Sequence, residues 1–271
     1  LKMPSNKKLL QAAAGSAGGD KLYVEDVFST FLYTGTGQAR AIDNGIALSD
    51  EGGLVWLKSR SNADSHYLFD TVNGPEKTLS SDNTAAGSDY SDYWDFPSAG
   101  TEGFKLLDAP ANYSGWTLAS WTFRKAEKFF DIVTTTLSTG SGVFTAASTG
   151  TVNADGTLTI PHSLGSAPGC IMIKVYSGDT GLWNVYHRSA TNNLILNETG
   201  AQVNNYFGNV TDASFDLISN GFIGNNRSNL SFTIYLFAHD AGGYGDDGDE
   251  NIISCGSFNS TALTNLGWEP Q

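Results

Sequence analysis

The feature that most constrains this chain is a strand that occurs twice. Gly52-Gly53-Leu54-Val55-Trp56-Leu57-Lys58 returns as Pro168-Gly169-Cys170-Ile171-Met172-Ile173-Lys174, at an offset of about 116 residues. The surroundings recur in the same order. Phe31-Leu32-Tyr33-Thr34-Gly35-Thr36-Gly37 and Thr135-Thr136-Leu137-Ser138-Thr139-Gly140 lie upstream, and Leu68-Phe69-Asp70 and Val185-Tyr186-His187 lie downstream. Leu118-Ala119-Ser120-Trp121-Thr122-Phe123 is then answered by Phe232-Thr233-Ile234-Tyr235-Leu236-Phe237. Four elements in one order at nearly constant spacing define two diverged copies of a unit of roughly 110 residues.

Each copy consists of short apolar runs divided by turn residues, with no amphipathic helix between them. Val27 through Tyr33 alternates, Leu54 through Leu57 is continuous as in a strand covered on both faces, and turns fall at Asp43-Asn44-Gly45 and Glu51-Gly52-Gly53. Short connections mean antiparallel pairing, because parallel neighbours need crossovers of about a dozen residues. The expected fold is all-β: two tandem antiparallel β-sandwiches, at residues 27–128 and 129–241. The junction Arg124-Lys125-Ala126-Glu127-Lys128 leaves almost no linker, so the units are expected to stack with limited freedom. Ser80 through Ser88 reads as a long polar loop.

Residues 1–26 differ from the rest. Asn6-Lys7-Lys8-Leu9-Leu10-Gln11-Ala12-Ala13-Ala14 favours a short helix, with Ser5 to cap it and Gly15 to stop it. A helix this short needs a surface to lie on. It reads either as a disordered terminus or as an anchoring arm whose contacts would be Lys7, Lys8, Leu9 and Leu10. At the other end, Leu266-Gly267 with Pro270 mirrors Leu164-Gly165 with Pro168. Residues 242–271 therefore read as an acidic linker and the opening of a third unit, with the natural protein expected to continue.

The balance of 28 Asp and Glu against 15 Lys and Arg, a net charge of −13, argues against nucleic acid, whose phosphates need a basic face. Only 16% of residues are charged, against about 25% in ordinary soluble domains, so the surface is solvated by neutral hydroxyl and amide groups. No apolar run approaches the roughly 18 residues of a membrane-spanning helix, and no membrane insertion is expected. The two cysteines, Cys170 and Cys255, sit in strand-like runs without metal-ligand spacing.

Candidate chemistry is sparse. Asp82, Asp89, Asp92, Asp95 and Glu102 cluster in sequence but lie among Ser, Asn and Gly, and the matching stretch Asn204 through Asn209 lacks carboxylates, so they read as a solvated loop and not as a hydrolase pair. His66, His162, His187 and His239 are scattered. No catalytic residue is assigned, no cofactor is expected, and nothing requires an enzyme. The run Asp246-Asp247-Gly248-Asp249-Glu250 reads either as an exposed linker or as a calcium site with Asp246, Asp247, Asp249 and Glu250 as ligands. The loop aromatics Tyr90, Tyr93, Trp94, Trp183 and Tyr206 read either as glycan or partner contacts or as caps on the open ends of the cores.

Taken together, the start Asn6 through Gly15, Val24 through Tyr33, Gly52 through Arg60, Trp121 through Ala126, Trp183 through Arg188 and Asp246 through Asp249 resemble a family of virion proteins of tailed bacteriophages, especially marine ones infecting cyanobacteria. The resemblance covers essentially the whole chain and rests on fold-maintaining motifs. It implies lectin-like, concanavalin-type jelly-roll units in a structural virion protein, most simply a tail fibre or tail appendage. A capsid decoration or head fibre is the alternative, and a glycan-binding or glycan-degrading appendage a further one. It also implies virion partners (a tail adaptor, nozzle or baseplate, or the capsid), a homo-oligomer, commonly a trimer, and a host surface glycan as a distal partner. The loop Ser88 to Ala99 is enlarged relative to that family.

Overall fold

The structure is a computed structural model that describes residues 21–257, apart from 97, 99, 108–110, 201–203 and 219. The predicted anchor residues Lys7, Lys8, Leu9 and Leu10 lie outside the described residues, as does everything from residue 258 onward.

The described residues form an all-β structure whose strands pair antiparallel throughout. Numbered in chain order, 18 strands make four sheets. A five-stranded sheet runs β1 (Phe28–Thr34), β8 (Thr117–Arg124), β3 (Gly53–Ser59), β4 (His66–Asp70), β5 (Leu79–Ser80). Beside it a three-stranded sheet runs β2 (Arg40–Ile42), β7 (Phe104–Leu106), β6 (Trp94–Asp95). The later half gives a six-stranded sheet, β10 (Phe144–Ala147), β9 (Phe130–Thr139), β18 (Leu230–Phe237), β13 (Cys170–Ser177), β14 (Asn184–His187), β15 (Leu194–Ile195). A four-stranded sheet runs β11 (Thr151–Val152), β12 (Leu158–Pro161), β17 (Ser214–Leu217), β16 (Phe207–Gly208).

The internal repeat maps onto this topology, with β10 and β11 as additions of the second half. The order β1-β8-β3-β4-β5 is the order β9-β18-β13-β14-β15, and β2-β7-β6 is matched by β12-β17-β16. Register agrees as well: Ile42 opposes Phe104 as Ile160 opposes Phe215, and Trp94 opposes Leu106 as Phe207 opposes Leu217.

Three buried clusters follow from the two-residue period of a strand, which sends successive side chains to opposite faces. Along β3, Val55 and Leu57 join Phe104, Leu106 and Trp94 of the three-stranded sheet, while Leu54 points the other way. Along β13, Ile171 and Ile173 meet Leu158, Ile160 and Phe215 of the four-stranded sheet, while Met172 points the other way. The side chains pointing the other way share one middle cluster, in which Leu54 and Leu68 of the first half meet Phe130, Met172, Trp183 and Tyr235 of the second. Both large sheets are thus apolar on both faces, and each fully buried Leu or Phe contributes about 1.5–3 kcal/mol.

The junction between halves is tight. Lys128 takes a positive φ of 63° and donates its N–H to Leu164 O at 2.6 Å, and Ala126 bridges to Phe130. Lys125 pairs with the buried Asp131 at 3.1 Å. The stretch after Ser80 differs from the free loop its composition predicts, because it is tied to the second half. Gly87 N donates to Tyr176 O at 2.9 Å and Gly181 N to Thr84 O at 2.9 Å.

Both ends of the described chain pack as well. The short helix α1 (Val24–Val27) places Val27 in the middle cluster, with Leu22 beside it. Residues 242–256 return to the same cluster through Tyr244, Ile252 and Ile253.

Candidate functional site

The repeated lysines do the same local work in each half. Lys58 Nζ donates to Ser59 O and Asp64 O at 3.0 and 2.9 Å, and Lys174 Nζ donates to Gly181 O at 2.5 Å. Each holds down the loop that follows its strand. Lys174 is fully buried, and burial lowers its ammonium from 10.5 to about 8.

Trp94 and Trp183 are wholly buried and present no ring face to a ligand. Trp94 stacks on Phe69, centroids 5.2 Å apart, and donates Nε1–H to Thr78 Oγ1 at 2.9 Å. Trp183 stacks on Tyr235 and donates Nε1–H to Ser80 O at 2.8 Å, a bond between halves. Tyr90 and Tyr93 are half-buried, 5.1 Å apart, both against Trp94. Tyr206 is half-buried against Phe222 at 5.3 Å. Tyr90, Tyr93 and Trp94 gather in the first half; Trp183 and Tyr206 are not part of that group.

The acidic run forms a tight turn folded back on α1. Gly243 N bonds Gly248 O and Glu250 N bonds Tyr244 O, while Gly245 N reaches Leu22 O. Tyr23 Oη donates to Asp246 Oδ1 at 2.5 Å, which holds that phenol protonated up to about 12, and Lys21 Nζ donates to Asp246 O. Asp247 and Asp249 are exposed. Among the described residues no group of three or more His, Cys, Asp or Glu side chains is placed to hold a metal ion.

The carboxylates of the first half do not converge. Asp89 accepts from Ser91 N–H and Oγ–H, which hold it below the usual carboxylate range; Asp95 lies 3.7 Å from Lys105; Asp82 accepts from Ser65 Oγ at 3.0 Å.

Asp82 belongs to a different assembly. On the interfacial face of the first large sheet, Trp56 and Trp121 oppose each other across β3 and β8, edge to face at 6.5 Å. Trp56 Nε1–H donates to His66 Nδ1 at 2.9 Å, so the neutral His66 ring carries its proton on Nε2. Burial lowers the His66 pKa, nearby Lys58 lowers it further, and Asp82 opposes both. Trp56, His66 and Asp82 meet Leu196, Asn197 and Glu198 of the second half around an open groove of about 430 Å³.

In the sequence Trp56 belongs to a core strand, His66 is one of the scattered histidines and Asp82 lies in a polar stretch, and no motif marks residues 196–198. The signal that marks the groove is a departure from the internal repeat. Positions 56 and 121 are Trp where the second copy has Met172 and Tyr235, both buried in the middle cluster.

A model of one protein family, described as a domain of unknown function (DUF7483), matches residues 24–256. The chain belongs to that family. The DUF7483 match spans both halves and the returning segment to residue 256, the same stretch that shares the three clusters. No curated protein and no solved structure matches the chain. Among the described residues no helix is long and apolar enough to cross a membrane.

Proposed function

We propose that the protein is a non-catalytic structural component of a bacteriophage particle, a tail fibre or tail appendage. In this reading the halves are two tandem lectin-like β-sandwiches forming a stiff shaft. The N-terminal segment docks on the tail machinery, and the chain assembles as a homo-oligomer, commonly a trimer in fibres.

The observation that carries the reading is the middle cluster, in which equivalent faces of two repeated units bury each other. A double unit joined through apolar side chains and cross-half hydrogen bonds resists bending, as an appendage under mechanical force must. The low charge fraction and the resemblance of the sequence motifs to those of virion proteins favour the same reading.

A tagged protein located by electron microscopy on purified particles tests it. Label on the tail is the expected result. Label on the head favours capsid decoration instead, and particles without label overturn the proposal. Sedimentation of the purified chain checks the trimer.

A further inference from the structure

We infer that the groove between the halves binds carbohydrate, taking a neutral or amino-bearing hexopyranose. The inference stands independently of where the protein sits in a particle.

Trp56 packs on the middle cluster, is only partly buried, and lines the groove. An indole in that position offers an apolar face to the C–H side of a sugar ring while its N–H remains satisfied, here by His66 at 2.9 Å. Core packing does not demand tryptophan at this register, since the second copy fills it with Met172. Leu196, 44% exposed, adds apolar surface on the opposite wall.

The polar groups around this face are mixed donors and acceptors, as paired hydroxyls require. His66 Nε2–H is a donor. Asn197 Oδ1 accepts from Trp183 N at 2.9 Å, which fixes the amide and leaves its Nδ2 hydrogens for a ligand. Asp82 spends Oδ2 on Ser65 and keeps Oδ1, and Glu198 is exposed. Neither carboxylate is ion-paired among the described residues. Two carboxylates on one groove favour hydroxyl or ammonium donors and repel uronic or sulfated sugars. The walls come from different halves, so the site exists only because the halves are packed together.

The experiment records indole N–H resonances of the full chain during titration with methyl glucoside, methyl galactoside, methyl mannoside, N-acetylglucosamine, glucosamine and glucuronate. The expected result is a saturable shift of the Trp56 resonance with at least one neutral or amino sugar and none with glucuronate. Asp82→Asn and Glu198→Gln should each weaken that binding about tenfold. Both side chains are exposed, so the thermal midpoint should stay in place. No shift with any of the sugars, equal binding of glucuronate, or binding unmoved by both substitutions overturns the inference. So does a Trp56 shift on simple dilution, which would mean that a second copy of the chain occupies the groove.

Discussion

Tyr235 donates its phenolic hydrogen to the carboxylate of Asp70 at 2.8 Å, across the boundary between the two halves. Both residues are buried, and Asp70 also accepts from the N–H groups of Val72 and Asn73 and from the Asn73 amide. The same amide reaches Thr233 Oγ1 at 3.0 Å. A polar network is therefore enclosed by the apolar middle cluster, and it holds one half against the other in a single register.

Burial raises the Asp70 pKa against the hydrogen bonds that lower it, among them those from Asn73 and Tyr235. A raised carboxyl contributes stability that is present below its ordinary value of 3.8 and lost as pH rises through the folded value. Tyr235→Phe removes one bond to the ionised form and pushes Asp70 further up. Urea unfolding at neutral pH should show a loss of about 1.5–3 kcal/mol, shrinking in acid as Asp70 protonates. An equal loss at both pH values would count against the assigned role of the carboxylate.

Lys174 gives the opposite pH dependence. Between about 8 and 10.5 the unfolded chain holds a proton that the folded chain has released, so its contribution rises with pH across that window and is lost as pH falls through about 8. The rise amounts to on the order of 3 kcal/mol. Lys174→Met should flatten this part of the stability profile, measured by denaturant unfolding on either side of the window. A slope that persists in the variant would show that another group titrates there.

Gly53 begins β3 and its counterpart Gly169 immediately precedes β13, and both are places where a β-carbon does not fit. At Gly53 it would sit 2.1 Å from Phe123 O, and at Gly169 2.6 Å from His239 Cβ and 2.8 Å from Cys255 Cβ. Gly53→Ala should cost about 3 kcal/mol by forcing β3 and β8 apart. Gly169→Ala should cost less, because the returning segment can shift, and should expose residues 250–256 to protease. Unchanged thermal midpoints in both variants would refute this account of the repeated glycine.

Trp183 carries both packing and a hydrogen bond between halves. Trp183→Phe keeps most of the ring and loses the bond to Ser80 O, an expected cost of about 1–2 kcal/mol. Trp183→Ala adds a cavity and should cost about 3–5 kcal/mol. Thermal unfolding of the two variants separates the terms, and a similar midpoint for both would mean that the ring contributes little.

The strands and their pairing were legible because they depend on local pattern. Continuous apolar runs such as Leu54 through Leu57 signal strands covered on both faces, and the matching order of elements in the two copies anticipated the matching sheet orders. The candidate site was far less legible. Trp94 and Trp183 read either as partner contacts or as core caps, because Asp95 and Asn184 stand beside them in sequence; partners distant in the chain, Phe69 and Tyr235, bury them. The Ser80 to Ser88 stretch looked solvated because its backbone bonds to Tyr176 and Gly181 leave no trace in composition.

The sequence by itself determined the all-β class, the antiparallel pairing and the internal duplication, since a two-residue period and short connections permit little else. Only the tertiary structure decided which face each large sheet turns to the other. A strand that is apolar on both sides says that two layers must cover it and not which two. That choice buried Met172, Tyr235 and Trp183 between the halves and left Trp56 lining a groove with His66, Asp82 and Glu198. The groove joins residues more than a hundred positions apart in the chain, a relation that no local pattern contains.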